Sequence, residues 1–194
     1  MNLVERVKKL LVSPTQEWGV IKEEEHTVAG LYTHYVMILA AIPAVATFIG
    51  WSVIGYGGLG TTYRIPIGIG VANMVLYYVL TLGSVYLIAL IIDMQAPNFG
   101  GERNFIQALK VAAFFPTAAW LAGVFFILPS LTILAVAGAI YSLWLLYTGL
   151  GQLMGVAEER SAGYVMIVVI AAIVVMVVIS TIAALAMPSP TRGF

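Results

Sequence analysis

Asp93 follows the apolar run YLIALII, and Lys110 stands before VAAFF, so a carboxylate and an ammonium face one another across a short loop. A charge at the edge of a membrane span is costly and tends to pair or to reach water. One reading makes Asp93 and Lys110 an ion pair, a candidate gate at one mouth of a bundle. The other lets each side chain snorkel separately to the headgroups. A second set of charges lies in two loops. Glu102 and Arg103 follow Gly100 and Gly101 in FGGERN, and Glu158, Glu159 and Arg160 form a short run. Together they are a candidate network, with a solvated pair of loops as the plainer reading. The glycines would let Glu102 and Arg103 fold back and close a mouth. FGGERN lacks the lysine and the Ser/Thr of a phosphate loop.

Uncharged polar residues recur at helical spacing. Asn73 and Tyr77 are four apart and Ser84 lies seven further on; Tyr141, Thr148 and Gln152 are spaced seven and four. Each set shares one helix face. The faces are expected to point inward, either as hydrogen-bonding glue between helices or as the walls of a polar cavity. His26 and His34 lie eight apart with no HExxH pattern, a poor metal site. There is no cysteine, which excludes thiolate ligands, Cys nucleophiles and disulfides. No Ser-His-Asp set and no pair of carboxylates inside an apolar run is present. No catalytic residue, metal or cofactor is expected.

The elements carrying these residues are set by composition. Of 194 residues, 61% are hydrophobic and 9% charged, and the mean hydropathy is +1.01. A soluble domain has about 25% charged residues. The chain is therefore an integral membrane protein, and its zero net charge offers no surface for nucleic acid. No Asp, Glu, Lys or Arg occurs in 26–63, 65–92, 111–157 or 161–191. A helix needs about 20 apolar residues to cross the hydrocarbon. The runs predict spans near 31–55, 68–93, 108–127, 131–154 and 163–187, with LPS at 128–130 turning the third into the fourth. The fold class is all-α: a polytopic five-transmembrane-helix bundle. Pro43 and Pro116 fall inside spans and are expected to kink them. Gly151 and Gly155 give a GxxxG spacing suited to close helix packing.

Basic residues orient the bundle. With the N-terminus inside, Arg6, Lys8, Lys9, Lys22, Arg103, Lys110 and Arg160 are cytoplasmic, and only Arg64 and Arg192 are outside. The expected organisation is a cytoplasmic collar over 1–30, a transmembrane domain over 31–187 and an extracytoplasmic tail over 188–194. Within the collar, LVERVKKLLV places Leu3, Val4, Val7, Leu10 and Leu11 on one face, as an amphipathic helix lying in the interface. SPTQEWGVIKEEE begins a second helix, with Ser13 as cap and Pro14 at its first position. Its glutamates are expected to face water or cytoplasmic partners.

Three stretches resemble the Yip1 family, in a bacterial form: LLVSPTQEWGVI, FGGERNFIQALKVAAFFPTAAWLAG, and LPSLTILAVAGAIYSLWLLYTGLGQLMGVAEERSAGY. The resemblance covers nearly the whole chain and implies five spans, an inner-membrane location and a cytoplasmic N-terminus. Eukaryotic relatives act in vesicle traffic and bind Rab-type GTPases through a longer N-terminus with a DLYGP-like motif, which this chain lacks. Two functions follow as expectations. One is a non-enzymatic protein that organises membrane or cytoplasmic protein partners through its charged face. The alternative is a small transporter or channel for an unknown solute, built as a homo-oligomer.

Overall fold

A computed structural model describes residues 2–55, 57 and 62–186. Two short helices precede five long ones. Helix α1 is Leu3–Val12 and α2 is Pro14–Glu23. The long helices are α3 (Val28–Ile54), α4 (Ile67–Gln95), α5 (Phe105–Ile127), α6 (Ile133–Leu153) and α7 (Glu158–Ala186). Each of the five is long and apolar enough to cross a membrane. The expected tail over 188–194 lies outside the described residues.

Local chemistry explains the boundaries. The Asn2 side chain accepts from the Val4 amide at the start of α1, and Asn104 does the same for Gln107 at the start of α5. Pro14 sits in the first turn of α2, where its missing N–H costs nothing. Ser13 makes no side-chain cap there, contrary to the expected capping. Pro116 interrupts α5, whose regular turns run over Phe105–Phe114 and resume at Thr117–Ala122. Pro43 is instead carried within the helical run Met37–Phe48 of α3. A short 3₁₀ turn at Pro129–Leu131 joins α5 to α6, at the predicted LPS.

The core lies where α3, α4, α5 and α6 meet, with Val36, Leu39, Ala40, Ala89, Ala112, Ala113 and Leu146 buried. Alanines on α5 let its neighbours approach closely. Helix α7 packs on α4 and α6 along one side only. Tyr164 and Val168 are buried there, while Ile170, Ile173, Val174 and Val177 remain exposed for lipid. The GxxxG spacing is not a packing seam of α6. That helix ends at Leu153, and Gly155 lies beyond it at φ +66°, a conformation that favours glycine. The close approaches on α6 are at Gly138, where a Cβ would collide with the Ala122 Cβ of α5, and at Gly149, where it would fall 2.7 Å from the Trp18 ring.

Candidate functional site at the charged end

Helices α1 and α2 form a hairpin that is part of the bundle. Leu10, Trp18 and Ile21 are fully buried. Trp18 stands edge-on to Phe114 of α5, with ring centroids 6.3 Å apart, and lies over Gly149 of α6. Phe114 in turn packs against Tyr35 of α3 at 4.4 Å. The Tyr35 hydroxyl donates to Thr117 Oγ1 at 2.7 Å, since Thr117 gives its own proton to the Phe114 carbonyl. Aromatic rings thus join the hairpin to three spans.

Arg6 is the polar centre of this packing. It lies on the same face of α1 as Leu10 and is 5% exposed, whereas Val4 is 71% exposed. The expected apolar face of α1 grouped Leu10 with Val4 and set Arg6 elsewhere; in the fold Arg6 is buried beside Leu10. The physical reason is a pair of carboxylates. Arg6 donates to Glu17 Oε1 at 2.6 Å and to Glu24 Oε2, and its guanidinium lies over the Phe114 ring. Glu17 is buried as well, so it does not face water or a partner as expected. His26 lies 3.1 Å from Glu24. Burial works to raise the Glu24 carboxyl, but Arg6 and then His26 outweigh it and hold its pKa below the usual range. Burial pushes the His26 imidazole down, against the pull of Glu24. At neutral pH the Glu24 carboxyl is therefore ionised and the His26 imidazole neutral.

Side chains of the spans close the free carbonyls at the hairpin's helix ends. The last carbonyls of a helix have no partner within it. Tyr141 of α6 donates to the Leu11 carbonyl at 2.6 Å, near the end of α1. Gln107 and Lys110 of α5 both donate to the Lys22 carbonyl, near the end of α2, each at 3.0 Å. Lys110 also reaches the Glu24 carbonyl at 2.7 Å, and it is 2% exposed. A cation at a helix C-terminus is favourable in addition to its hydrogen bonds. Gln152 donates to the Thr15 carbonyl at 3.1 Å.

The sequence-predicted residues fall into different places. Among the described residues no ion pair joins Asp93 to Lys110. Lys110 is held by the hairpin carbonyls, and Asp93 Oδ1, near Tyr164 of α7, is buried with no hydrogen-bond partner among the described residues. Glu102, Arg103, Glu159 and Arg160 are exposed, and none of the described ion pairs includes them. The Arg160 guanidinium lies against Gly100. Glu158 begins α7. Of the polar face on α6, Tyr141 and Gln152 meet the hairpin, whereas Thr148 bonds to carbonyls of its own helix. On α4, Ser84 donates to Thr81 of the same helix. Asn73 and Tyr77 line a cavity of about 70 Å³ at the far end of the bundle, between α3 and α4. The two polar faces therefore do not enclose one cavity. Arg6, Glu17 and Gln107 were missed, because no local signal in the sequence marks them as buried or as bridging residues.

A multi-pass helical membrane protein whose charged N-terminal hairpin is docked between its spans is the class defined by this arrangement. The Yip1 domain matches over residues 8–179, and the chain belongs to that family. It is 29% identical over 159 residues to the inner membrane protein YohC of Escherichia coli K12, covering 80% of this chain and 82% of the relative. The protein of the same name from Escherichia coli O6:H1 matches to the same extent. No solved structure matches the chain.

Proposed function

We propose that this is a non-enzymatic protein of the bacterial inner membrane that organises membrane or protein partners at its charged end. In this reading the N-terminus is cytoplasmic and the C-terminus extracytoplasmic, as the distribution of basic residues favours. The observation that carries it is the docked hairpin. Arg6, Glu17 and Lys110 are used to hold α1 and α2 in place, which leaves Lys8, Lys9, Lys22, Glu23, Glu25, Glu102, Arg103, Glu159 and Arg160 on one exposed charged face. A fixed surface of mixed charge suits specific recognition more than it suits conduction.

The transporter reading, as a homo-oligomer, rests on the cavity at the far end. Ser52 Oγ and Asn73 Oδ1 are buried there without partners among the described residues. Between that cavity and the hairpin lie Val36, Leu39, Ala40, Val85 and Ala112, all buried and apolar. That packing weighs against a path.

Photo-crosslinking amino acids test the proposal. Placed at Lys22, Glu23 and Arg103 in living cells, they should give discrete adducts that the same probe at Tyr63, near the far end, does not. Absence of adducts at all three charged-end positions, with solute flux through reconstituted vesicles, would overturn it in favour of transport.

A further inference from the structure

Between α1 and the start of α3 lies a cleft of about 560 Å³. Its head is formed by Arg6, Glu24, Glu25, His26 and His34, and its apolar arm by Leu31 and Ile38, with Phe114 behind. His34 and Ile38 are both exposed and four residues apart, so they share the outward side of α3. The cleft thus runs from a polar head at the end of the bundle onto the exposed apolar side of a span. Its volume is that of a small-molecule site.

The chemistry of the head is that of an acceptor. The Arg6 guanidinium already serves Glu17 and Glu24. Lys110 is turned toward the Lys22 and Glu24 carbonyls, in a neighbouring cleft. His34 Nδ1 lies 3.1 Å from the Gly30 carbonyl and 3.2 Å from Thr33 Oγ1. The carbonyl can only accept, and Thr33 gives its own proton to Ala29, so the His34 proton is on Nδ1 and its Nε2 is an acceptor. His26 directs Nε2 at a carboxylate, which leaves Nδ1 as the acceptor. Among the charged side chains of the lining, Arg6, Glu24 and Glu25 leave an excess of carboxylate. Such a head favours a cation with several N–H donors, and its apolar continuation favours one that carries a hydrocarbon chain.

We propose that this cleft seats the primary ammonium headgroup of an aminophospholipid, with the glycerol and upper acyl chain along Leu31 and Ile38. The lipid is the chosen source of the ammonium because the apolar arm opens on the side of a span, where the medium is lipid. Recognition through N–H donors distinguishes a primary ammonium from a trimethylammonium of the same charge.

The delipidated protein in detergent is mixed with equal amounts of phosphatidylethanolamine, phosphatidylcholine and phosphatidylglycerol of one acyl composition. Native mass spectrometry then counts the lipid adducts. Phosphatidylethanolamine should exceed phosphatidylcholine by about fivefold, the scale of one net hydrogen bond lost on methylation. Ile38→Trp, which fills the apolar arm, and Glu25→Gln, at an exposed position, should each lower that ratio toward one, with an unchanged melting temperature showing that the fold is intact. Equal binding of the two lipids, or a ratio that neither variant changes, would overturn the proposal. Displacement of the lipid by millimolar glycerophosphoethanolamine would also overturn it, by making the site one for a soluble amine.

Discussion

At the charged end, Arg6, Glu17, Glu24 and Lys110 are buried or half-buried and each has a partner on another segment, while half-buried His26 pairs with Glu24 two residues away. At the far end, Ser52 Oγ and Asn73 Oδ1 are buried around a small cavity without one. The difference lies in what the polar groups hold together. Ser52 and Asn73 belong to α3 and α4, which are joined elsewhere by apolar packing and by the Tyr32 and Tyr78 hydroxyls, donating to the Leu82 and Met37 carbonyls at 2.9 Å each. At the charged end, Arg6, Glu17 and Glu24 hold α1 to α2 and to the linker that follows, and Lys110 ties that hairpin to α5; α1 and α2 are too short to be stable alone. Buried charge at that end is structural, and the far end can lose its hydroxyl at little cost.

The largest effect should come from Arg6→Met. It strands Glu17 in a buried position, and losing one partner of a buried pair costs about 3–5 kcal/mol. Ser52→Ala at the far end removes a hydroxyl that has no partner, and should change stability by less than about 1 kcal/mol. Melting of the two variants in one detergent checks the contrast; equal effects would break it.

Lys110→Met comes next. Hydrogen bonds to a charged group are worth about 1.5–3 kcal/mol, and the Lys22 and Glu24 carbonyls would lose them. Combined with Asp93→Asn, its effect should be additive within about 0.5 kcal/mol, because the two side chains have no partner in common. A larger coupling would restore the ion pair that the sequence suggests. Gly149→Ala should cost about 1–3 kcal/mol by driving a methyl group into the Trp18 ring. Loss of Trp18 burial would appear as a red shift in its fluorescence.

The smallest effect is one of pH. The folded His26 is depressed below its ordinary 6.5, so the unfolded chain binds the extra proton first. Stability should fall as the pH drops through about 6.5, and further below the ordinary glutamate value of 4.5 as Glu24 is protonated. His26→Gln should remove the first slope and keep the second. A melting temperature that is flat from pH 7.5 to about 5.5 would contradict this.

The five long helices were legible because four charge-free runs and one LPS turn are local features. The hairpin between α5 and α6 followed from the length of the 111–157 run together with the LPS turn inside it. Arg6 was not legible. Its neighbours Glu5, Lys8 and Lys9 are exposed, and nothing in LVERVKKLLV marks one cation as buried. What buries it are carboxylates 11 and 18 residues further on, brought back by the turn at Ser13. The helical spacing of Tyr141 and Gln152 was readable, but the partner of that face was not. Lys110 suggested a carboxylate partner because charges invite charges. A helix C-terminus offers the same attraction through its free carbonyls, and no residue type announces it.

The docked hairpin can be tested in the native membrane, since the chain has no cysteine of its own. Thr15→Cys paired with Gln152→Cys places thiols on the two residues joined through the Thr15 carbonyl. Val4→Cys with Gln152→Cys is the control, because Val4 is exposed on the outer side of α1. A short bifunctional thiosulfonate should link the first pair nearly completely within one chain and leave the control unlinked. Failure of Thr15→Cys and Gln152→Cys to link, or equal linking of both pairs, would mean that α1 and α2 are not held against α6, and the account of the charged end would fall.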